Sequence, residues 1–156
     1  MAVKVFLDTS VLVAGLVDFG PQSAPAQQIL HAVAERKIGD AGTAWHCCLE
    51  AFSVTTRLPP EYRLTPRDAA TLLREEVFGR MTVHDLPTDA RLAFLGLAGE
   101  EGTAGGRVYD AHIADVARVA GARTIVTDNR RHFITALRHG IRVETALEFA
   151  ATLKRG

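Results

Sequence analysis

The sequence predicts an α/β domain: a three-layer α/β/α sandwich around a central, mainly parallel sheet of about four or five strands. Two β-rich runs, VKVFL at the start and TIVT at 124–127, are each followed at once by an acid-bearing polar cluster. Helical patterns separate these runs and the weaker strand-like ones between and after them, which implies crossover connections and parallel pairing. The chain has 156 residues, 47% of them hydrophobic, with no internal repeat, low-complexity tract or dividing linker. That is one domain, residues 1–156, large enough for a core of its own.

Each element has its local reason. Residues 3–7 form a short buried strand by their β-branched and aromatic content. A helix follows Asp8-Thr9-Ser10, and a second runs from about Ser23 to Arg36 with Pro25 near its first turn. KIGDAGTA is short, small and strand-like, and leads into WHCCLEAFSVTTRL, a helix that Pro59-Pro60 stops. Thr65-Pro66 opens a helix to about Phe78, RMTVHDL reads as a strand, and Pro87-Thr88 opens a helix through Ala98. GEEGTAGG is a polar, glycine-rich loop. The amphipathic helix VYDAHIADVARVAG follows, with Ile113, Val116, Ala117 and Ala120 on one face and Gly121 as its stop. RTIVTDN is a clear strand; a short helix, a short strand near IRVE and a helix through Leu153 close the pattern.

Composition excludes several classes. The two cysteines, Cys47 and Cys48, are neighbours, so they form neither an unstrained disulfide nor a zinc site, and read as small apolar residues in a reducing compartment. No signal peptide is visible, since Lys4 and Asp8 to Ser10 interrupt the first apolar run, and nothing approaches a transmembrane span. A cytoplasmic protein is the expectation, with no membrane partner. Net charge is zero, so no global basic field advertises a nucleic acid. The distribution is uneven, however. Residues 1–104 hold nine Lys and Arg against thirteen Asp and Glu, and residues 105–156 hold nine against five. The positive stretch NRRHFITALRHGIR is either a solvated face or a phosphate-facing patch.

Two strands thus end in acids, Asp8 and Asp128, on the carboxyl edge where ligands of open α/β sheets bind. Two helices whose N-termini face that edge add Glu50 and Asp110. Each acid also has an ordinary reading. Asp8 and Asp110 can cap helices, Glu50 can be a surface residue, and Asp128 can form a turn. Taken alone, each reads that way first; four together at one edge require four coincidences. Close carboxylates repel and shift toward protonation, a problem that a hard divalent cation removes. All-oxygen ligands suit Mg²⁺ or Mn²⁺, ions that activate water and stabilise charge in displacement at phosphorus.

The segments FLDTSVLVA, CCLEAFSVTTRL and YDAHIADVARVAGARTIVTDNRRHF, in this order and spacing, resemble the PIN-domain family, and more narrowly the VapC-like ribonuclease toxins of toxin–antitoxin pairs. The resemblance covers essentially the whole chain and implies a PIN-like, Rossmann-like fold. It implies a metal-dependent endoribonuclease in which Asp8 and Asp110 hold Mg²⁺ or Mn²⁺ and Glu50 holds a water of the ion and serves as its general base. The fourth position is open. Family members often place the acid or amide two residues after the Thr, which here is Asn129, whereas Asp128 stands one earlier. The resemblance further implies an RNA substrate, a cognate antitoxin protein and a homodimer pairing two sites along one RNA groove.

Thr9, Ser10 and Thr127 offer hydroxyls beside the acids, for capping and turns or for orienting a carboxylate or water. Arg107, Arg130 and Arg131 are candidate RNA contacts. His46 and His112 read as ordinary helix residues, Trp45 as core or interface, and DAATLLREEVF as a candidate partner contact or a plain core helix. Rival families fit less well. A haloacid-dehalogenase-type phosphatase needs a second Asp where Ser10 stands. A receiver domain needs an acidic pair and a late Lys, and no G-x-G-x-x-G follows a strand. The rival from another class is a catalytically inert PIN fold that serves as a binding or scaffold module; Asp8, Glu50 and Asp110 together argue against it.

Overall fold

Strand β1 (Val5–Leu7) is central because its side chains are apolar on both faces, and Phe6 and Leu7 are fully buried. The computed structural model describes residues 4–155. Beyond β1 come helices α1 (Thr9–Leu16) and α2 (Ala24–Ala34), strand β2 (Ala41–Ala44) and helix α3 (Trp45–Thr55). Helix α4 (Pro66–Leu72) leads to strand β3 (Thr82–His84), followed by helices α5 (Thr88–Glu100) and α6 (Arg107–Val119). Strand β4 (Thr124–Val126), helix α7 (Ile134–Arg138), strand β5 (Arg142–Glu144) and helix α8 (Ala146–Leu153) complete the described chain.

The five strands pair in the order β3-β2-β1-β4-β5, all parallel. The expected α/β/α sandwich with its parallel sheet is therefore observed. Burial follows position: β4 is buried throughout like β1, while the edge strands β3 and β5 are partly exposed. From β1 the chain moves outward through β2 and β3, then returns across the sheet to β4 and continues to β5. Right-handed crossovers place α1 to α4 on one face and α5 to α7 on the other. The packing agrees, since α1 meets α2 and α3, α2 meets α8, and α6 meets α5 and α7. The order reverses between β1 and β4, and that switch point is where the two connections diverge and leave a crevice.

Several boundaries differ from the sequence reading. The second helix ends at Ala34 rather than Arg36. Arg36 takes a left-handed φ of 59°, and the Lys37 amide donates back to Ala32 O at 2.9 Å, which closes the helix in a turn usually given to glycine. The helix opened by Pro66 does continue to Phe78, but as a wider π-helical turn over Leu73–Phe78, with the Gly79 amide bonded to Arg74 O. Strands β2 and β3 are shorter than the runs that suggested them, because pairing starts only at Ala41 in the first and spans only Thr82–His84 in the second. Of the two readings of Trp45, core is excluded: the ring is 44% exposed and meets Phe78 edge-on.

Helices α1 and α2 approach closely at Gly15, where an added Cβ would lie 2.4 Å from Leu30 Cδ1 and 3.3 Å from Ala26 O. In an open helix, Gly→Ala stabilises by about 1 kcal/mol through propensity. Here overpacking against a buried Leu is expected to reverse the sign, so Gly15→Ala should lose about 1–3 kcal/mol in urea unfolding. A gain in stability would show that the two helices part easily.

Candidate active site

Asp8 leaves β1 on the sheet's carboxyl edge and is only 4% exposed. Its backbone amide extends the ladder by donating to Val126 O at 3.0 Å, so the residue is fixed between β1 and β4. It stands before α1 as the N-cap residue, yet its side chain makes no capping bond. The capping reading is thereby set aside in favour of a carboxylate aimed elsewhere. Asp8 Oδ2 accepts from the buried Thr127 hydroxyl at 2.7 Å and from Ser10 Oγ at 3.3 Å. Oδ1 faces the Cys47 thiol at 4.0 Å, a weak donor. Burial raises the Asp8 pKa above the ordinary carboxylate value; the Thr127 hydroxyl and Thr9 amide oppose this, while Glu50 and Asp110 push it further up. Burial, and then Asp8, push the Cys47 thiol up to about 12.

Glu50 projects from the second turn of α3, half-exposed, with His46 Nε2 2.6 Å from its Oε1. Asp110 lies in the first turn of α6, and His132 Nδ1 is 3.2 Å from its Oδ2. Burial raises the Asp110 pKa as well, with His132 and His46 acting against it. The structure thus sets Glu50 and Asp110 at the same edge as Asp8, each within electrostatic reach of it. It also gives each helical acid a histidine partner. For His46 the sequence does carry a signal, the i,i+4 spacing to Glu50. For His132 it carries none, because the partner lies on another element.

Asp128 is placed differently. Its Oδ1 accepts from the Ala146 amide at 3.2 Å, at the start of α8, and its own amide donates to Ser10 Oγ at 3.0 Å. Asn129 is exposed and its amide donates to Thr127 Oγ1 at 3.0 Å. Ser10 and Thr127 therefore tie the segment after β4 to the Asp8 carboxylate. Thr9 Oγ1 is buried beside Asp8 and has no hydrogen-bond partner among the described residues. Arg130 pairs with Glu148 on α8. Arg107 and Arg131, with Arg138 and His132, line a cleft of about 600 Å³ that Asp110 also borders.

The donor set suits a hard cation. Carboxylates predominate, Asp8 is ionisable and buried at a cost, and the orphaned Thr9 hydroxyl lies next to it. Among the described residues no three acids, histidines or cysteines stand close enough to enclose an ion by themselves.

Comparison with known proteins gives the family and the fold. The PIN domain matches residues 5–139. Ribonuclease VapC40 from Mycobacterium tuberculosis is 32% identical over 130 residues, covering 79% of this chain and 85% of that protein. The crystal structure of DNA-bound VapBC from Salmonella typhimurium superposes with a TM-score of 0.63 at 22% identity, over 92% of this chain and 98% of that one. PAE2754 from Pyrobaculum aerophilum gives a TM-score of 0.63 at 20% identity over the full length of both chains. No helix among the described residues is long and apolar enough to cross a membrane.

The raised Asp8 pKa has a testable sign. The folded chain holds this proton better than the unfolded chain, so the contribution to stability is intact below the unfolded carboxylate pKa. It is lost as pH rises through the folded value. Near neutral pH in EDTA, Asp8→Asn is expected to melt above the wild type, with the gap closing toward about pH 4. Mg²⁺ or Mn²⁺ is expected to raise the melting temperature of the wild type but not of the variant. Identical melting of the two proteins in EDTA at every pH would remove the desolvation argument.

Proposed function

The chain belongs to the PIN-domain family and is related to VapC-like toxins of toxin–antitoxin systems, and from that premise we propose that it is a Mg²⁺- or Mn²⁺-dependent endoribonuclease acting as such a toxin. One observation carries the reading above the others. A buried, hydrogen-bonded carboxylate, Asp8, sits at the sheet's switch point within electrostatic reach of Glu50 and Asp110. A scaffold protein has no need to keep an ionisable group in such a costly place.

Asp8 and Asp110 are the residues that would hold the ion, which when bound offsets their charge and stabilises the phosphodiester during displacement. Thr127 and Ser10 fix the orientation of Asp8 through its Oδ2. Glu50, half-exposed and steadied by His46, is the acid that would take the proton from an attacking water. His132 holds Asp110 in the same way. Asp128 and Asn129 are the two candidates for a further oxygen, and Asp128 would first have to release Ala146. Arg107 and Arg131 line the cleft beside Asp110 and supply positive charge for RNA phosphates. Arg130 is engaged with Glu148 and would contribute only after leaving it.

A cognate antitoxin is the expected protein partner, and a homodimer the expected assembly. The π-helical segment, within DAATLLREEVF, and α3 frame an apolar groove lined by Trp45, Leu49, Phe52, Leu73 and Phe78. That groove is the surface we assign to the antitoxin. The VapBC protein from Salmonella typhimurium supplies the structural precedent for such a pair.

Inducible expression of the wild type beside Asp8→Asn, with sequencing of new RNA ends, tests the reading in the cell. Growth arrest and discrete ends are expected for the wild type only. With purified protein, EDTA is expected to stop cleavage and Mg²⁺ or Mn²⁺ to restore it, and Asp8→Asn or Glu50→Gln to lose about 100-fold or more. Asp128→Asn keeps an oxygen for Ala146, and its activity is expected within about tenfold of the wild type if the residue mainly anchors α8. Full activity in Asp8→Asn would refute the assignment; no cleavage by any form, with all soluble, would favour the inert scaffold.

A further inference from the structure

The carboxylate site has two unlike flanks. On one side lies the arginine-lined cleft beside Asp110. On the other lies a cavity of about 350 Å³ lined by aromatic and apolar side chains, with His46, Leu86, Phe94, Tyr109 and His112 among them. The Tyr109 ring stacks on His46 with centroids 5.4 Å apart and planes 11° from parallel. His112 meets both His46 and Phe94 edge-on, at 5.7 and 5.6 Å. Tyr109 is nonetheless 56% exposed, so a large planar surface already backed by one ring remains open. At the mouth, Arg91 and Asp85 pair at 3.4 Å and bring a donor and an acceptor to the same opening.

This aromatic wall is joined to the acids. His46 is the residue that bonds Glu50, and Tyr109 immediately precedes Asp110 in α6. A group lying on Tyr109 is thus backed by the ring that bonds Glu50 and lies within electrostatic reach of Asp110. Stacked, solvent-open rings beside a phosphate-handling site match the chemistry of an unpaired nucleobase, which has an apolar face and a polar edge. A base within a duplex has no free face to offer.

Resting on the endoribonuclease reading above, we propose that the His46–Tyr109 stack and its adjoining cavity form a base-binding subsite for one unpaired nucleobase flanking the scissile phosphate. The base extends the stack on Tyr109, its edge faces Asp85 and Arg91, and the backbone passes the acids toward the arginine-lined cleft. Tyr109 is a specificity-determining residue in this arrangement and takes no part in proton transfer.

The test uses the full chain and a mixed-sequence, 12-nucleotide, 5′-labelled single-stranded RNA. Binding is read by fluorescence polarisation in EDTA and cleavage, with mapped ends, in Mn²⁺. Tyr109→Ala is expected to bind and cleave about 5- to 100-fold less well, mainly through KM, and to lose its base preference beside the cut; Tyr109→Phe is expected to behave as wild type. An abasic nucleotide at the flanking position should cost the wild type a similar factor and Tyr109→Ala nothing further. If the wild type cleaves and Tyr109→Ala matches it in KM and cut pattern, the subsite is refuted and the nuclease reading stands. If the wild type binds without cleaving and Tyr109→Ala abolishes binding, the subsite stands and the nuclease reading falls. If the wild type does neither, both fall.

Discussion

The hydrogen bond from Thr127 to Asp8 joins the two halves of the sheet at the point where its strand order reverses. It is short, at 2.7 Å, and both partners are buried. A carboxylate held this way cannot retreat to solvent, and burial makes its charge costly. Much of the edge is arranged around that constraint. Ser10 bridges Asp8 to the Asp128 amide, the Asn129 amide closes on Thr127, and Asp128 reaches on to α8. The segment after β4 is therefore registered against β1 by side chains as well as by the strand ladder.

Glu50 and Asp110 add to the charge at this edge, and the fold meets that repulsion with histidines. His46 and His132 each approach one acid and come from opposite sides of the site, α3 and the turn after β4. The histidines hold the outer acids while Asp8, which has no cationic partner among the described residues, bears the greatest desolvation. The same His46 supports Tyr109, so one side chain links an acid to the aromatic flank.

The two flanks share α6 as a common wall, and they differ because their other residues come from different parts of the chain. Arg107 and Arg131 come from the start of α6 and the turn after β4, where the positive half of the sequence gathers. Phe94 and Leu86 come from α5 and the loop before it, on the negative half. The zero net charge conceals this division, so a neutral chain still presents a local cationic cleft.

The sequence by itself determined the layers, the parallel pairing and the delivery of acids to one edge. Those follow from short-range facts: β-rich runs ending on Asp8 and Asp128, helices opening near Glu50 and Asp110, and crossovers with only one favoured hand. Tertiary structure alone decided which acids meet. Asp128 and Asp8 look alike as strand-end acids, yet one side chain turns to Ala146 and the other into the crevice. Rotation of a single side chain at a strand end leaves no mark on hydrophobic periodicity. The contacts of His132 with Asp110 and of His46 with Tyr109 join elements distant in the chain, and no local pattern encodes them. Periodicity fixes the layers; side-chain partnership across the switch point fixes the site.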